Sequence, residues 1–484
     1  MWSHLLIYVT YTAMSNTFFS QKKRGTALVY GLVIMTVVAI ILTSIISFVA
    51  AQTRYALQIH AREQSFQIAE SGIQFYRWYL AHQVEGRTAA QVADFWATGN
   101  PYGVATPYEV DYRDPSGDVI GRYKLEVTAP SGYSTAVTVL ATGWTFRYPD
   151  NKRTIEVRFR KPAWSESIVL ANDNLRFGAG TEVYGKIHSN QGIRFDGVAH
   201  NIVTSSISTY NDPDHTGGDE FGVHTHDSPT DPLPPAAVPD RSDVFEGGRS
   251  FPVASADFNG VLGDLSYMKT VAQAGTDGSL YFDNVHQGRH IILNTNDTFT
   301  IRTVQSFNAS TNQINNYSGG WSTYNIPDDG VIFVENNVWL SGSVNGRRVT
   351  IVAANLISAS QKSMYIGNDI RYTNYDCTDI IGIIGQNDVE IFRASEDDLR
   401  IDGAMIAQNG RVGRAHYTGG GGNLYKTTIT IYGAMATNER YGFAWTDGTG
   451  YATRNLYFDN NLLYCPPPYF PTGTQYEMDL WEER

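Results

Sequence analysis

A long uncharged run near the N-terminus is the strongest pattern in the chain. The 26 residues from Thr26 to Ala51 include no charged side chain. At about 1.5 Å of rise per residue, a helix of this length covers roughly 39 Å, which exceeds the ~30 Å hydrocarbon core of a bilayer. The pattern therefore predicts a transmembrane helix over residues 26–51.

The helical pattern continues beyond this run. Apolar side chains recur at spacings of three, four and seven, with charged and amide residues between them, at Tyr55, Ile59, Phe66, Ala69, Ile73, Tyr76 and Leu80. No proline interrupts Thr26 to Leu80. We therefore expect one continuous helix, apolar in its first half and amphipathic in its second, with residues 52–99 forming the amphipathic part and a polar connection.

The period then changes to two over residues 100–163. Apolar and polar residues alternate, or nearly so, in four segments separated by turn residues such as Asp114-Pro115-Ser116-Gly117; the segments are 108–112, 122–127, 135–140 and 154–159. Four short antiparallel strands behind an amphipathic helix would make a small α+β headgroup.

From about Trp164 the chain consists of short apolar runs separated by Asn, Asp and Gly. Examples are 167–170, 181–184, 186–188, 330–334, 348–352, 380–384 and 427–432. Such runs favour a right-handed parallel β-helix or solenoid-like domain over 164–464, because its strands are covered on both faces. A β-sandwich would also use short strands, but with hairpin dipeptides between alternating runs. The predicted fold class is thus mainly β with a long N-terminal α-helix.

Positive charge precedes the apolar run in the basic leader, residues 1–25. Lys22, Lys23 and Arg24 stand directly before Gly25. Positive flanks are retained in the cytoplasm, which directs everything after Ala51 to the outside. A cleavable secretory peptide is the alternative, although its apolar region is usually about 7–15 residues long. Within the leader, Met14 is an alternative start.

The order of these features resembles a known family. Lys23-Arg24-Gly25 before Thr26-Ala27-Leu28-Val29, followed by a long apolar helix and the segment 65–72 (Ser-Phe-Gln-Ile-Ala-Glu-Ser-Gly), is similar to the N-terminus of type IV pilin-like proteins. Within them it most resembles the PilX-like N-terminal segment of minor pilins. The helix positions that carry the resemblance in the second part are Phe66, Ala69, Glu70 and Gly72.

This resemblance implies a processing route. A prepilin peptidase would cut after Gly25, and the new N-terminal residue, Thr26, would be methylated. Major pilins carry a glutamate at the fifth mature position, where this chain has Tyr30. That departure is compatible with a rare subunit at or near a filament tip, because a first subunit has no neighbour whose N-terminus needs pairing.

The body carries a second resemblance. The pieces 185–190, 402–407 and 459–463, with Pro466-Pro467-Pro468, are similar to bacterial surface proteins that pair a pilin-like N-terminus with a β-helical body. It implies an architecture and no activity.

Length and charge limit the organisation and the binding partners of the chain. Its 484 residues exceed what one hydrophobic core normally serves. Its net charge is −12, or −15 once the three leader cations are removed. Such a surface repels nucleic acid and anionic lipid head groups. Nucleic acid is therefore not an expected partner.

Two cysteines occur, Cys377 and Cys465. In an exported chain one disulfide is the natural suggestion, and two unpaired thiols are the alternative. The C-terminal tail, residues 465–484, begins with a stiff proline stretch that cannot join a central strand. We expect this stretch, from Cys465 to Pro471, to lie along the body as a terminal cap.

Residues 211–239 are rich in proline and glycine and are typical of a loop insertion. His215, His224 and His226, with nearby carboxylates, could bind a transition metal. An EF-hand loop starting at Asp212 is excluded, because Val223 stands where the bidentate glutamate belongs. Polar loops often collect such residues, so a solvated loop is preferred and no metal or other cofactor is assigned.

Catalysis needs paired carboxylates or a carboxylate with a base at fixed separation. Acidic residues gather between 388 and 402, at Asp388, Glu390, Glu396, Asp397, Asp398 and Asp402. Corner residues and an acidic loop explain them equally well, and the sequence contains no nucleophile elbow, phosphate loop or zinc signature. We therefore expect no enzyme and assign no catalytic residue.

Together these patterns predict a single-pass inner or cytoplasmic membrane protein with an extracytoplasmic C-terminal domain. It would act as a minor pilin or pseudopilin in type IV pilus or related filament assembly, or display an adhesive body on the cell surface. Its expected partners are prepilin peptidase, other pilins or the assembly platform, membrane lipid, and a surface glycan or host ligand. The alternatives are a lone membrane-anchored surface protein and a β-helical polysaccharide-active enzyme.

Overall fold

The computed structural model describes residues 26–84, 87, 89–130, 135–258, 261–420, 422–473 and 476–484. Over these ranges the fold is mainly β with a long N-terminal helix, as the sequence predicts. The helices are α1 Thr26–Gln83, α2 Ala89–Thr98 and α3 Val261–Ala274.

Helix α1 is continuous over 58 residues but changes its environment midway. Every residue from Thr26 to His60 is exposed, and burial begins at Ala61. Tyr55 and Ile59, which the pattern assigns to the buried stripe, are instead 62% and 46% exposed. The packed stripe is shorter than predicted, because periodicity does not tell whether an apolar side chain faces protein or lipid.

The headgroup, residues 100–163, is an antiparallel sheet that packs against the second half of α1. Its strands, in spatial order, are β1 Tyr108–Arg113, β2 Val119–Thr128, β3 Val137–Thr145 and β4 Tyr148–Arg160. Alternation along the strands turns Leu125, Val139 and Val157 toward the helix, where all three are fully buried. Helix and sheet thus share one hydrophobic core.

Two glycines set the distance between α1 and this sheet. A Cβ atom at Gly143 of β3 would lie 2.3 Å from the carbonyl oxygen of Ser65 and 2.4 Å from the backbone nitrogen of Ala69. A Cβ atom at Gly72 of α1 would lie 2.9 Å from Cδ2 of Tyr123. The backbones of helix and strand therefore touch, and a side chain at Gly143 would force them apart.

The body, residues 164–464, is built of strands of 2 to 13 residues. Before α3 they are β5 Val169–Ala171, β6 Leu175–Phe177, β7 Glu182–Tyr184, β8 Ile187–Ser189, β9 Ile193–Phe195, β10 Val198–Ala199, β11 Val203–Ser205, β12 Thr209–Tyr210, β13 Glu220–Phe221, β14 Val223–His224 and β15 Arg249–Ser250. After α3 they are β16 Leu280–Phe282, β17 Gly288–Leu293, β18 Thr298–Asn308, β19 Gln313–Asn325, β20 Gly330–Val334, β21 Asn337–Val344, β22 Arg348–Ala353, β23 Met364–Tyr372, β24 Ile380–Gly385, β25 Val389–Ile391, β26 Asp398–Ala407, β27 Val412–Gly413, β28 Tyr425–Thr437 and β29 Gly450–Phe458.

Ten of these strands form one parallel ladder, the main ladder. Its spatial order is β16, β20, β22, β24, β26, β28, β5, β8, β11, β15. The first strand of the body lies in the interior of the ladder, since Val169 of β5 stands opposite Met435 of β28 on one side and Ile187 of β8 on the other. The chain order and the spatial order therefore differ.

The main ladder is covered on both faces, as its continuous apolar runs predict. Helix α3 lies between β15 and β16 in the chain, the two end strands of the ladder, and packs Leu265 and Met268 in one cluster with Val331 and Phe333. Ile332, between these two residues, belongs to the inner core. Alternate residues of a strand thus enter two different cores.

Further rows of parallel strands complete the body. One row contains β17, β21, β23, β25 and β27, and another contains β6, β9 and β14. A third joins the long strands β26 and β28 to β29, β7 and β10. Strands β17, β18 and β19 form an antiparallel unit that departs from this parallel order.

The C-terminal tail returns to the headgroup. Its proline stretch first lies on the body, where the Thr350 hydroxyl donates to the carbonyl oxygen of Pro468 at 2.5 Å. Strand β30, Glu477–Glu483, then pairs antiparallel with β4, and Asp479 contacts two arginines of that strand. This segment lies beyond the proline stretch and is the fifth strand of the headgroup sheet, a role that the sequence pattern does not predict.

Candidate functional site

The first half of α1 presents apolar side chains on every side. An 18-residue window has a mean hydropathy of 2.8, and among the described residues α1 is the one helix long and apolar enough to cross a membrane. The large apolar side chains from Leu28 to Val49 are 47% to 77% exposed. A helix that is apolar all round is normally covered by lipid or by other helices.

Three threonine hydroxyls within this half are satisfied by the helix itself. The hydroxyls of Thr36, Thr43 and Thr53 donate to carbonyl oxygens four residues earlier, at 2.7, 2.7 and 2.8 Å. Such internal bonds remove the need for water, which the bilayer core lacks. The threonines are therefore compatible with a transmembrane segment.

The predicted processing residues fall at the edge of the described chain. Lys22, Lys23, Arg24 and Gly25 lie outside the described residues. Thr26 is the first described residue of α1 and is exposed. Tyr30 follows one turn later and is 66% exposed.

The four positions of the pilin-like motif have different structural roles. Ala69 is fully buried and Gly72 is buried, both at the close approach to the sheet. Phe66 is half-buried, and its ring centroid lies 6.0 Å from that of Trp481 on β30. Glu70 is exposed. Most of the motif therefore holds α1 on the headgroup, and Glu70 alone of the four points to solvent.

Cys377 and Cys465 form a disulfide with their Cα atoms 5.9 Å apart. The bond spans 88 residues and joins the loop after β23 to the start of the tail. It covalently ties the proline stretch to the body.

Five of the six acidic residues considered for catalysis have structural partners, and the sixth, Asp398, is exposed at the start of β26. Asp402 is fully buried and accepts hydrogen bonds from Arg400 Nε at 2.7 Å and from the Tyr375 hydroxyl at 2.8 Å. Glu390 accepts from the Tyr417 hydroxyl at 2.7 Å, and burial raises the pKa of Glu390. In the same way Asp388 accepts from the Arg411 backbone, Glu396 from Asn368 and Asp397 from Lys426.

The insertion differs from the solvated loop that the sequence favours. Asp212, Glu220 and His224 are 4%, 4% and 1% exposed. Around the Glu220 carboxylate lie His215 Nδ1 at 2.8 Å, His224 Nε2 at 2.5 Å and His226 Nε2 at 2.8 Å. Burial lowers the pKa of His224, which opposes its protonation. The fold thus gathers five potential metal ligands that are spread over 15 positions of the sequence.

Comparisons with known proteins find similarity among solved structures. No family model and no curated protein matches the chain. The chain is similar to the competence-associated pilin ComZ from Thermus thermophilus, with a TM-score of 0.31 and 11% identity, over 88% of this chain and 98% of that chain.

Proposed function

We propose that this chain is a membrane-anchored, minor pilin-like protein that takes part in the assembly of a type IV pilus or a related filament and displays its β-rich body outside the cytoplasm. The observation that carries the proposal is the division of α1. Residues 26–60 are exposed all round, whereas the same helix from Ala61 onward packs into a folded headgroup. Moving each exposed Leu, Ile or Val from water to apolar surroundings contributes about 1.5–3 kcal/mol, so insertion is strongly favoured.

The segment just beyond the membrane span favours a filament over a lone anchor. Residues 52–60 follow the uncharged run and precede the headgroup contacts, yet Tyr55, Leu57 and Ile59 are 62%, 39% and 46% exposed there. Tyr55 and Ile59 lie one turn apart on one face. Neighbouring helices of a filament would cover this face, whereas water would surround it in a lone anchor.

The position in the filament follows from Tyr30. Tyrosine cannot supply the carboxylate with which, in the resembling family, a major pilin pairs the N-terminus of its neighbour. A terminal or rare subunit does not need that pairing. We therefore place this chain at or near a tip rather than along the shaft.

Processing by prepilin peptidase is the first prediction that tests this function. We expect the native protein from membranes to start at Thr26, and Gly25→Leu to accumulate as a full-length, membrane-inserted precursor. N-terminal sequencing and intact mass check this, in cells with and without the peptidase. Gly31→Leu is the matched control, because a Cβ at Gly31 meets no atom within 4 Å. A start near Gln52, or unchanged processing of Gly25→Leu, would contradict the pilin route.

A photocrosslinker at Tyr55 distinguishes a filament subunit from a lone anchor. In a filament it reaches another pilin-type subunit, and the same probe at Glu70, on the headgroup side, serves as the control. Crosslinks to lipid alone at Tyr55 would favour the lone membrane-anchored protein.

For the body we propose a parallel β-helix or solenoid. Its support is the parallel main ladder together with a row of amide side chains that follow the strands at one corner. Amide to amide or amide to carbonyl hydrogen bonds of 2.7 to 3.3 Å run through this row, which consists of Asn355, Gln386, Asn409, Asn438, Asn172 and Asn190. A β-sandwich, built of antiparallel sheets, would not repeat one corner in this way.

We further propose that the body binds a surface glycan or host ligand without cleaving it. The support is that five of the six candidate carboxylates have structural partners, while Trp321 and Tyr324 of β19 remain 44% and 40% exposed for stacking. Binding to a glycan array without release of reducing ends would agree with this, and release of reducing ends would revive the polysaccharide-active enzyme.

A further inference from the structure

The insertion brings its potential ligands together by strand pairing. Strand β12 pairs antiparallel with β13, which carries Glu220, and Asp212 lies two positions after the end of β12. Strand β14 pairs parallel with β9 and carries His224. His226 stands two positions further along this extended segment, so both imidazoles point to the same side.

Two buried polar atoms at this point have no hydrogen-bond partner among the described residues. They are Oδ2 of Asp212 and Nε2 of His224, which lie 3.6 Å apart. His224 Nε2 also lies 2.5 Å from Glu220 Oε2, in a geometry that makes no hydrogen bond. Buried polar atoms without partners are rare and call for an explanation.

The other ring nitrogen of His224 fixes its tautomer. Nδ1 lies 3.2 Å from the carbonyl oxygen of Phe221, which can only accept, so Nδ1 carries the proton. In the neutral ring Nε2 is then a bare lone pair that faces two carboxylates. A lone pair and two carboxylates repel one another unless a cation lies between them, and the same Nδ1–H to carbonyl bond orients histidines that bind metals.

The nearest arginine does not supply that cation. Nη1 of Arg194 is 3.7 Å from Asp212 Oδ2, which is beyond hydrogen-bond distance. Its Nε donates instead to Asp196 at 2.8 Å. Arg194 therefore offsets the negative charge from outside the cluster and leaves its centre open.

We propose that Asp212, Glu220, His224 and His226 bind one divalent transition metal ion, with Zn²⁺ as the best match and His215 at the exposed rim. The ligand atoms of Asp212, His224 and His226 lie within 4.8 Å of one another, as do those of His215, Glu220 and His226. Atoms that share a tetrahedral zinc ion stand about 3.3 Å apart, given bond lengths of about 2.0–2.2 Å. Mixed imidazole and carboxylate ligands suit Zn²⁺ and not Ca²⁺ or Mg²⁺. The ion would pin the insertion to β9 and β14.

Zinc titration of the full-length chain in detergent tests this proposal. After treatment with a chelator and dialysis, we expect Zn²⁺ to bind at one ion per chain by calorimetry and to raise the melting temperature, with no such effect of Mg²⁺. Co²⁺ should give the visible absorption of a tetrahedral site, a signal that a merely structural role of these side chains would not produce. Absence of stoichiometric Zn²⁺ binding to the wild-type chain would overturn the proposal.

Variants locate the site. His224→Gln and His226→Gln should each weaken Zn²⁺ binding more than about tenfold, since metal affinity depends steeply on each ligand. His416→Gln is the matched control, because His416 pairs with Asp447 at 2.9 Å in an exposed part of the body. Stoichiometric binding that survives in the double variant of His224 and His226, or is lost in the control, would also overturn the assignment. Co²⁺ absorption of the wild-type chain keeps the test valid if a variant fails to fold.

Discussion

At the scale of single residues, the packing of α1 against the headgroup sheet depends on small residues at the contact. Ser65 and Ala69 of the helix meet Gly143 of β3 backbone to backbone. A close-packed core does not absorb an added methyl group without shifting its neighbours. The small residues therefore fix how α1 packs on the headgroup.

We predict that Gly143→Ala lowers the free energy of unfolding of the headgroup by about 1–3 kcal/mol, through overpacking against α1. Urea unfolding of the chain in detergent measures the change. Gly178→Ala is the control, because a Cβ there meets no atom within 4 Å. Equal free energies of unfolding of the Gly143→Ala and Gly178→Ala variants would contradict a backbone contact between Gly143 and α1.

Part of this contact is visible in the sequence and part is not. The motif that carries the pilin resemblance identifies Ala69 and Gly72 as special. Gly143 lies more than 70 positions further along the chain, in a run that shows only a strand pattern. Its role depends on which strand faces the helix, and alternation alone does not determine that.

At the scale of elements, the antiparallel unit β17–β19 is held by a half-buried histidine. Nδ1 of His290 on β17 lies 2.8 Å from the hydroxyl of Tyr317 on β19. The guanidinium of Arg302 on β18 lies over the Tyr317 ring at 4.5 Å from its centroid. Burial lowers the pKa of His290 to about 4.

This pKa predicts acid sensitivity. An exposed histidine in the unfolded chain has a pKa of about 6.5, so between about pH 6.5 and 4 the unfolded chain binds a proton that the folded chain does not. The contribution of His290 is therefore full above about pH 6.5, and is lost at up to about 1.4 kcal/mol per pH unit as the pH falls. Urea unfolding at several pH values should show a shallower decline for His290→Asn. An identical decline would exclude His290 as the cause.

The sequence predicts where strands lie better than it predicts which strands pair. Continuous apolar runs and two-residue alternation predict strands at the places where β4, β20, β22, β24 and β28 occur. The sequence pattern does not predict strand β30, because four of the seven residues of Glu477–Glu483 are acidic. Their burial pattern is that of an exposed edge strand, which needs little apolar surface.

At the scale of the whole molecule, the two parts of the body meet between β28 and β5. Asn438 after β28 accepts from Asn172 after β5 at 2.9 Å and donates to the carbonyl oxygen of Asn409 at 3.0 Å. Asn172 and Asn438 are 266 residues apart in the chain. The stability of the first strands of the body therefore depends on its last ones.

We predict that Asn438→Ala destabilises the body by about 1–3 kcal/mol, because the side-chain nitrogen of Asn172 and the carbonyl oxygen of Asn409 each lose a hydrogen-bond partner in a half-buried place. Hydrogen exchange should accelerate on both sides, in β5–β15 and in β16–β29. Asn316→Ala, an exposed amide on β19, is the control. Faster exchange on one side alone would contradict the coupling of the two parts through the β28–β5 pair.

The spatial order of the strands in the main ladder could not be derived from the sequence, since a degenerate repeat shows that strands stack but not which strand lies first.

The attachment of the body to the headgroup has a mechanical consequence. The chain leaves the headgroup through β4 and returns through β30, and these strands are neighbours, with Arg160 opposite Glu477. A body held by a single linker could swivel freely, whereas two adjacent covalent connections resist twisting. Traction on a captured ligand would be shared between two strands of one sheet and passed on to α1. The body would therefore keep its orientation relative to α1 under load.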